Sequence, residues 1–337
     1  MHLRFRDSHI SLAHGNGGRL MRELIEELFA PALKNPHLDT RADAVALPIE
    51  ADRELLVTTD GFTVQPLEFP GGNIGSLAVH GTVNDLAVSG AEPRFMTLSI
   101  FLEEGLEIVR LRRVIAALAD AARDSGIAVV AGDTKVVGRG DCDGIYLAAT
   151  GIGFRPRGVR LGLDHVRAGD RLLVSGPIGE HGAAVLLARQ EFGLRGDLKS
   201  DAASVWPQAR ALMAVAGLRF MRDPTRGGLA TVAHELARAT QLSVHLSEQA
   251  IPISDPVLSV CELLGFDPLY LACEGRLVAV VAAEAAEGAL GALREVAPEA
   301  MLIGEMRQAP PQVVLATAFG GLRALDELED DPLPRIC

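Results

Sequence analysis

Apolar residues recur along this chain at two spacings, and the switching between them marks out its elements. Leu20, Leu24 and Leu28, joined by Met21, Ile25 and Phe29, form an i, i+4, i+8 stripe that predicts a helix over 19–30. The run Leu55-Leu56-Val57-Thr58-Thr59 reads as a buried strand ending at Asp60-Gly61. Helical patterning follows over 74–88 and, more amphipathically, over 107–123, where Gly126 supplies a stop. The segments 94–102, 127–131 and 145–154 read as strands, the second ending at Gly132-Asp133. The stretch 155–170, with its Pro, Gly and Arg residues, reads as a linker. Beyond it the pattern predicts strands at 171–175, 242–246, 271–281, 300–303 and 312–316, and helices at 180–189, 204–215, 229–239, 256–264 and 283–296. Helices and strands mix without strict β-α-β alternation, which favours α+β domains over a doubly wound sheet.

A chain of 337 residues exceeds a typical single core, and the linker divides it into domains over 1–155 and 165–325 with a tail over 326–337. It contains no uninterrupted apolar run of about 18 residues, so no membrane span is expected. Residues 1–11 have scattered charge and no apolar core, which argues against secretion. The four cysteines, at 142, 261, 273 and 337, have neither CxxC nor zinc spacing, and a reducing cytoplasm suits them. A formal charge of −12 and 4% aromatic residues argue against nucleic acid or an anionic membrane as the main partner.

Candidate chemistry gathers around carboxylates and glycines. Asp60 and Asp133 directly follow apolar strands, and Asp85 lies in Thr82-Val83-Asn84-Asp85. With Asn84 and Asp43, these oxygens suit Mg²⁺, a hard ion that accompanies substrate phosphates; taken singly, each is also an ordinary turn or cap residue. His14-Gly15-Asn16-Gly17-Gly18 precedes the first helix, and successive N–H groups there, at Gly15, Gly17 and Gly18, would favour an anion. Neither GxxxxGK[ST] nor GxGxxG is present, so a nucleotide must be held another way. Asp223-Pro224-Thr225-Arg226-Gly227-Gly228 opens a helix, with Arg226 able to meet a phosphate and Asp223 or Thr225 able to cap. Lys135, one of three lysines, and Glu274, placed after an apolar strand, could form a proton-transfer pair if they converge. His80, His181, His234 and His245 lack ligand spacing and read as structural. The last residue, Cys337, ends an acidic tail punctuated by Pro332 and Pro334, which predicts an extended, mobile segment with an exposed, reactive thiol. A prenylation signal would need that cysteine four residues from the end.

These motifs, in this order, resemble the HypE family of hydrogenase maturation factors, carbamoyl dehydratases of the PurM-like ATP-dependent superfamily. The resemblance rests on His14-Gly15-Asn16-Gly17-Gly18, Thr58-Thr59-Asp60, Val83-Asn84-Asp85-Leu86, Gly132-Asp133-Thr134-Lys135-Val136, Thr150-Gly151-Ile152-Gly153, Asp223 to Gly228, Cys273-Glu274-Gly275 and Pro334-Arg335-Ile336-Cys337. The terminal Pro-Arg-Ile-Cys is what selects HypE within the superfamily. The resemblance implies a PurM-like α+β fold, with an N-terminal α/β domain forming an intersubunit barrel in a homodimer, a C-terminal α+β domain and a flexible tail. It implies that Asp43, Asp60, Asp85 and Asp133 bind Mg²⁺, with Asn84 near the metal and phosphates of ATP. Cys337 would receive a carbamoyl group from the carbamoyltransferase HypF. ATP would then drive its dehydration to a thiocyanate, with Glu274 or Lys135 as base, and the cyano group would pass to iron on the HypC–HypD complex. Nine residues separate Leu328 from Cys337, about 30 Å of extended chain, enough for such a tail to travel. The competing readings are another superfamily synthetase or kinase, such as selenophosphate synthetase, and a non-enzymatic thiol carrier. The former uses a reactive Cys or Sec in its glycine-rich N-terminal segment, and no cysteine here precedes Cys142.

Overall fold

The computed structural model describes residues 7–16, 18–40, 42, 44–189, 196–329, 333 and 335–337. Two compact units make it up: residues 1–86, 91–157 and 337 form one, and residues 87–90 and 158–336 the other. Among the described residues no helix is long and apolar enough to cross a membrane.

The first unit begins with α1 (Arg19–Leu24), which continues through a π-helical turn (Ile25–Phe29) into α2 (Ala30–Ala32). There follow β1 (Arg53–Phe62), a ribbon of β2 (Glu68–Phe69) and β3 (Gly72–Asn73), α3 (Ile74–Val88), β4 (Glu92–Glu103), α4 (Ile108–Asp124), β5 (Ala128–Val137) and β6 (Ile145–Pro156). The sheet order is β1-β6-β4-β5, antiparallel except for the parallel β4–β5 step. That parallel step requires a crossover, which α4 supplies. Leu111, Val114, Ile115 and Leu118 form its buried stripe. Ile74, Leu77, Val79 and Val83 are fully buried on α3, the expected composition of a helix enclosed on most sides. Along β1 the strand alternates: Leu55 and Val57 are 54% and 61% exposed on one face, while Phe62 is buried on the other.

The second unit comprises β7 (Arg171–Val174), α5 (Glu180–Arg189), α6 (Trp206–Met213), β8 (Leu218–Arg222), α7 (Gly228–Thr240), β9 (Ser243–Ser247), α8 (Asp255–Leu264), β10 (Val278–Val281), α9 (Ala286–Arg294), β11 (Met301–Arg307), β12 (Gln312–Ala316) and β13 (Leu322–Ala324). Its seven strands lie in the order β13-β12-β9-β11-β7-β10-β8, antiparallel except for β9–β12. Both faces are covered. Leu172 and Val174 point into a core with Leu229, Val244 and Ile303, whereas Leu173, between them, joins Ala209, Leu212, Ala279 and Leu293.

Several boundaries differ from the pattern reading. The ladders run on through Asp60 and Asp133, because Ala149 pairs with Asp60 and Ser99 with Asp133. Of 271–281 only Val278–Val281 is strand; the preceding residues form a 3-10 turn end and a loop whose apolar side chains pack without a ladder. The edge strand β8 carries Arg219 and Arg222 among its apolar residues and gave no strand signal.

Gly228, the first residue of α7, has φ +59°, and a Cβ there would sit 2.6 Å from the carbonyl oxygens of Leu269 and Leu271. Gly228→Ala is expected to cost about 1–3 kcal/mol through the left-handed backbone alone, with the clash adding to it. Chemical denaturation checks this; an unchanged midpoint would contradict the packing.

Candidate functional site

In the first unit, the glycine-rich opening forms a 3-10 turn (Leu12–Gly15) ahead of α1. His14 is buried, and its Nδ1 accepts from the Ser11 N–H at 3.0 Å. A Cβ on Gly15 would lie 2.5 Å from the Val136 backbone nitrogen, so only glycine lets this turn rest on β5. Gly18 occupies the N-cap of α1 with open space where a Cβ would be. Gly17 and Asp43 lie outside the described residues.

The three carboxylates are placed by different elements. On α3, Asp85 accepts from Thr58 Oγ1 at 2.6 Å, tying the helix to β1, and the neighbouring Asn84 is fully buried. Asp60 accepts from the N–H of Gly61 at 2.8 Å. Asp133 accepts from the Thr134 N–H at 2.8 Å and pairs with Lys135 Nζ at 2.9 Å. The Lys135 ammonium holds the Asp133 carboxyl below the usual carboxylate range, with the Thr134 N–H acting in the same direction.

Continuous ladders fix which way these groups face. Asp60 shares a row with Ala149 and Leu98, on the face covered by α3. Asp133 pairs with Ser99 and Lys135 with Phe101, on the face that carries Leu55 and Val57. Asp60 and Asp133 therefore do not converge on one cluster within this unit, as strand-end positions would have allowed. Among the described residues no group of three His, Cys, Asp or Glu side chains could hold a metal ion. The donor chemistry still suits Mg²⁺, which is commonly bound by one or two carboxylates plus substrate phosphates rather than by an all-protein cage. A cavity of about 190 Å³ lies beside Asp133 and Thr134, lined by Ile25, Phe29, Leu98 and Val129.

In the second unit, Gly227 is the N-cap of α7, in the left-handed region and with no side-chain cap bond, so neither Asp223 nor Thr225 caps the helix. Asp223 is buried and Arg226 exposed. Cys273 is fully buried, its Sγ accepting from the Gly179 N–H at 3.1 Å, and burial pushes this thiol well above its ordinary range. An uncharged, enclosed thiol of this kind is structural rather than nucleophilic. Glu274 is 2% exposed. The Asp201 carboxylate accepts from the N–H groups of Glu274 and Gly275 at 3.2 and 3.1 Å. Arg276 stands 3.7 Å from that carboxylate and donates to Glu180 at 2.7 Å. Lys135 and Glu274 belong to different units, each with its own partners.

The tail corrects the expectation of a free, extended segment. The described residues of 326–336 group with the second unit, and Leu333 and Ile336 are 4% and 2% exposed. Arg189 donates to the Arg335 carbonyl at 3.0 Å, and His181 Nε2 lies 2.7 Å from the Ile336 carbonyl. Arg335 has φ +56°, a backbone state that costs a non-glycine residue about 1–2 kcal/mol. Within the first unit, Cys337 is half-buried and its backbone oxygen accepts from the Thr63 N–H at 3.1 Å. Pro332 and Pro334 lie outside the described residues, and the sequence around them carried no information about apolar anchors at Leu333 and Ile336.

A family model described as AIR synthase related protein, N-terminal domain, matches residues 41–154, and the corresponding C-terminal domain model matches 167–315. Carbamoyl dehydratase HypE of Azotobacter vinelandii is 45% identical to this chain, over 99% of each. The chain belongs to the HypE family. A crystal structure of HypE in complex with ATP superposes at a TM-score of 0.92 with 44% identity, covering 97% of this chain and 99% of that one. A HypE–HypF complex matches at 0.79 and 39% identity over 90% of this chain and 99% of that one. The fold is thus the PurM-like α+β pair of domains.

Sequence reasoning missed Asp201 as the partner of Glu274 and Gly275, Arg276 and Glu180 as the charges set beside it, and the bond from the motif residue Thr58 to Asp85. Asp201 lies in Lys199-Ser200-Asp201-Ala202, which has no periodicity or motif to mark it, and its partner loop is more than seventy residues away. His181 and His234 read as structural, and both meet backbone carbonyls, of Ile336 and Leu325.

Lys135→Met is expected to raise the Asp133 carboxyl toward its ordinary range, as read by NMR titration; an unmoved carboxyl would show that Lys135 is not the cause. The folded-state value of Asp133 is depressed, so the pair's contribution is present above the unfolded carboxylate value and lost as pH falls through the folded one. Both side chains are more than half exposed, which keeps that contribution small.

Proposed function

We propose that this chain is an ATP-dependent carbamoyl dehydratase that converts an S-carbamoyl group on Cys337 to a thiocyanate, the source of the cyanide ligand of the NiFe-hydrogenase iron centre. The likeness to carbamoyl dehydratase HypE over 99% of both chains carries this reading. A relative solved with ATP bound supports ATP as the co-substrate.

The reaction must remove an oxygen from an amide, a poor leaving group. The carbamoyl oxygen attacks the γ-phosphorus of ATP and the bond to ADP breaks, while one N–H proton passes to a base. The carbon–oxygen bond then breaks with phosphate as the leaving group, the second nitrogen proton ends on that phosphate, and C≡N forms. Thiocarbamate and ATP thus give thiocyanate, ADP and phosphate, and the oxygen of the lost water leaves in the phosphate. No redox partner is required.

We assign Glu274 as the base, with Lys135 the alternative. A buried carboxylate is shielded from water that would otherwise hydrolyse the activated intermediate. Asp43, Asp60, Asp85 and Asp133 are assigned to Mg²⁺, with Asn84, Gly15, Gly17, Gly18 and Arg226 toward the nucleotide. Mg²⁺, when bound with ATP, would neutralise phosphate charge as the phosphoryl group transfers.

HypF is the proposed carbamoyl donor, supported by the solved HypE–HypF complex, and HypC–HypD the proposed acceptor. A homodimer is proposed from the open sheet face, where exposed Leu55 and Val57 present apolar surface that a second copy would cover. None of the four cysteines is in a disulfide, which suits the cytoplasm.

Glu274→Gln tests the assignment. Gln keeps the shape of the side chain but cannot accept a full proton at neutral pH. The variant should bind ATP and carry the carbamoyl group on Cys337, yet fail to lose water, as mass spectrometry of the C-terminal peptide would show. Cys337→Ala, run alongside, should never acquire the group. Normal dehydration by Glu274→Gln would transfer the role of base to Lys135.

A further inference from the structure

The short segment Ser200-Asp201 makes two contacts that the dehydration chemistry leaves unused. Its first side chain faces the tail. His181 is fully buried, with Nδ1 2.8 Å from Ser200 Oγ and Nε2 2.7 Å from the Ile336 carbonyl. A carbonyl can only accept, so Nε2 carries the proton, and Nδ1 must then accept from the Ser200 hydroxyl. The same hydroxyl accepts from the N–H of Ala202 at 3.0 Å, which orients it. Burial pushes His181 below its ordinary range, keeping the ring neutral and the chain of donors in this single direction. The peptide fixed at its end is the one that joins Ile336 to Cys337.

Its second side chain faces the loop of Glu274. The Asp201 carboxylate, with no exposed side-chain surface, receives both the Glu274 and Gly275 N–H groups. A Cβ on Gly275 would fall 1.8 Å from the Asp201 carbonyl oxygen, so the two backbones are in direct contact and only glycine permits it. The N–H of Ala203 returns a bond to the Glu274 carbonyl at 3.4 Å. Arg276, held between Asp201 and Glu180, compensates the buried charge.

We propose that Ser200-Asp201 is a positioning element for the dehydration step, holding the Ile336 peptide through His181 and the Glu274 backbone through the Asp201 carboxylate. It acts through other groups and touches no reacting atom. The inference rests on the assignment of Glu274 as base. Displacing a catalytic group by about 1 Å can cost on the order of a hundredfold in rate, so both contacts should be visible in turnover while ATP binding is untouched.

The test has two arms on full-length protein, the first read after carbamoylation by HypF and the second with Cys337 left as the free thiol. In the first, Asp201→Asn keeps the side-chain shape but leaves one oxygen for two N–H groups. It should lower kcat for dehydration by about a hundredfold with KM for ATP unchanged within about twofold. In a Glu274→Gln background the same change should add almost nothing, because a residue acting through Glu274 has nothing left to position. Hydrogen exchange on the unmutated protein is independent of whether the variant folds: the Glu274 and Gly275 amides should exchange only with global unfolding. In the second arm, His181→Leu should raise the rate of Cys337 alkylation by iodoacetamide about fivefold, the value of one lost hydrogen bond of ordinary strength, and His181→Gln, which restores a donor, should reverse most of that. Full additivity of Asp201→Asn with Glu274→Gln, fast exchange of the two amides, or unchanged alkylation in His181→Leu would each overturn the proposal. Normal dehydration by the Glu274→Gln single variant would instead overturn the assignment of the base and would be recognised as such.

Discussion

The tail of this protein is anchored by two buried apolar side chains and by hydrogen bonds to its backbone carbonyls. Burying Leu333 and Ile336 contributes about 3–6 kcal/mol at most. The hydrogen bonds to the Arg335 and Ile336 carbonyls add about 1 kcal/mol each. Ordering the four described residues Leu333, Arg335, Ile336 and Cys337 costs about 4–8 kcal/mol, and the left-handed Arg335 about 1–2 more. These opposing terms are of similar size.

The packing of the second unit makes it rigid. Its sheet is covered on both faces, and the loop bearing Glu274 leaves that core immediately before β10, whose four residues are all buried. Asp201 extends the rigidity outward by taking the two N–H groups that the loop has no strand partner to satisfy. The first unit uses a different device. Its ladder sets Asp60 on the helix-covered face and Asp133 with Lys135 on the open one. The two sets of oxygens therefore do not form a preassembled metal cage among the described residues.

Much of this was legible in the chain. The helix at Ile74–Val88, the helix at Glu180–Arg189 and the strand at Gln312–Ala316 follow directly from apolar spacing and flanking breakers. The family was legible too, because its glycine and carboxylate motifs are local and ordered. What could not be read depends on partners distant in sequence. Gly61 and Gly132 look like strand stops until β6 and β4 are present to continue the ladder. Leu271 to Cys273 are apolar enough for a strand, yet the Cys273 N–H bonds Pro224 and leaves no ladder. Ile336 resembles any residue of a proline-punctuated tail until His181 is placed against its carbonyl.

The proposed chemistry turns on ATP carrying away the carbamoyl oxygen. The most direct test is to load Cys337 with a carbamoyl group labelled with heavy oxygen at its carbonyl, add ATP, and weigh the inorganic phosphate released. Label in the phosphate, one atom for each thiocyanate formed, is the predicted result. Label in water with none in the phosphate would mean that ATP drives some other step, and phosphorylation of the carbamoyl oxygen would be ruled out.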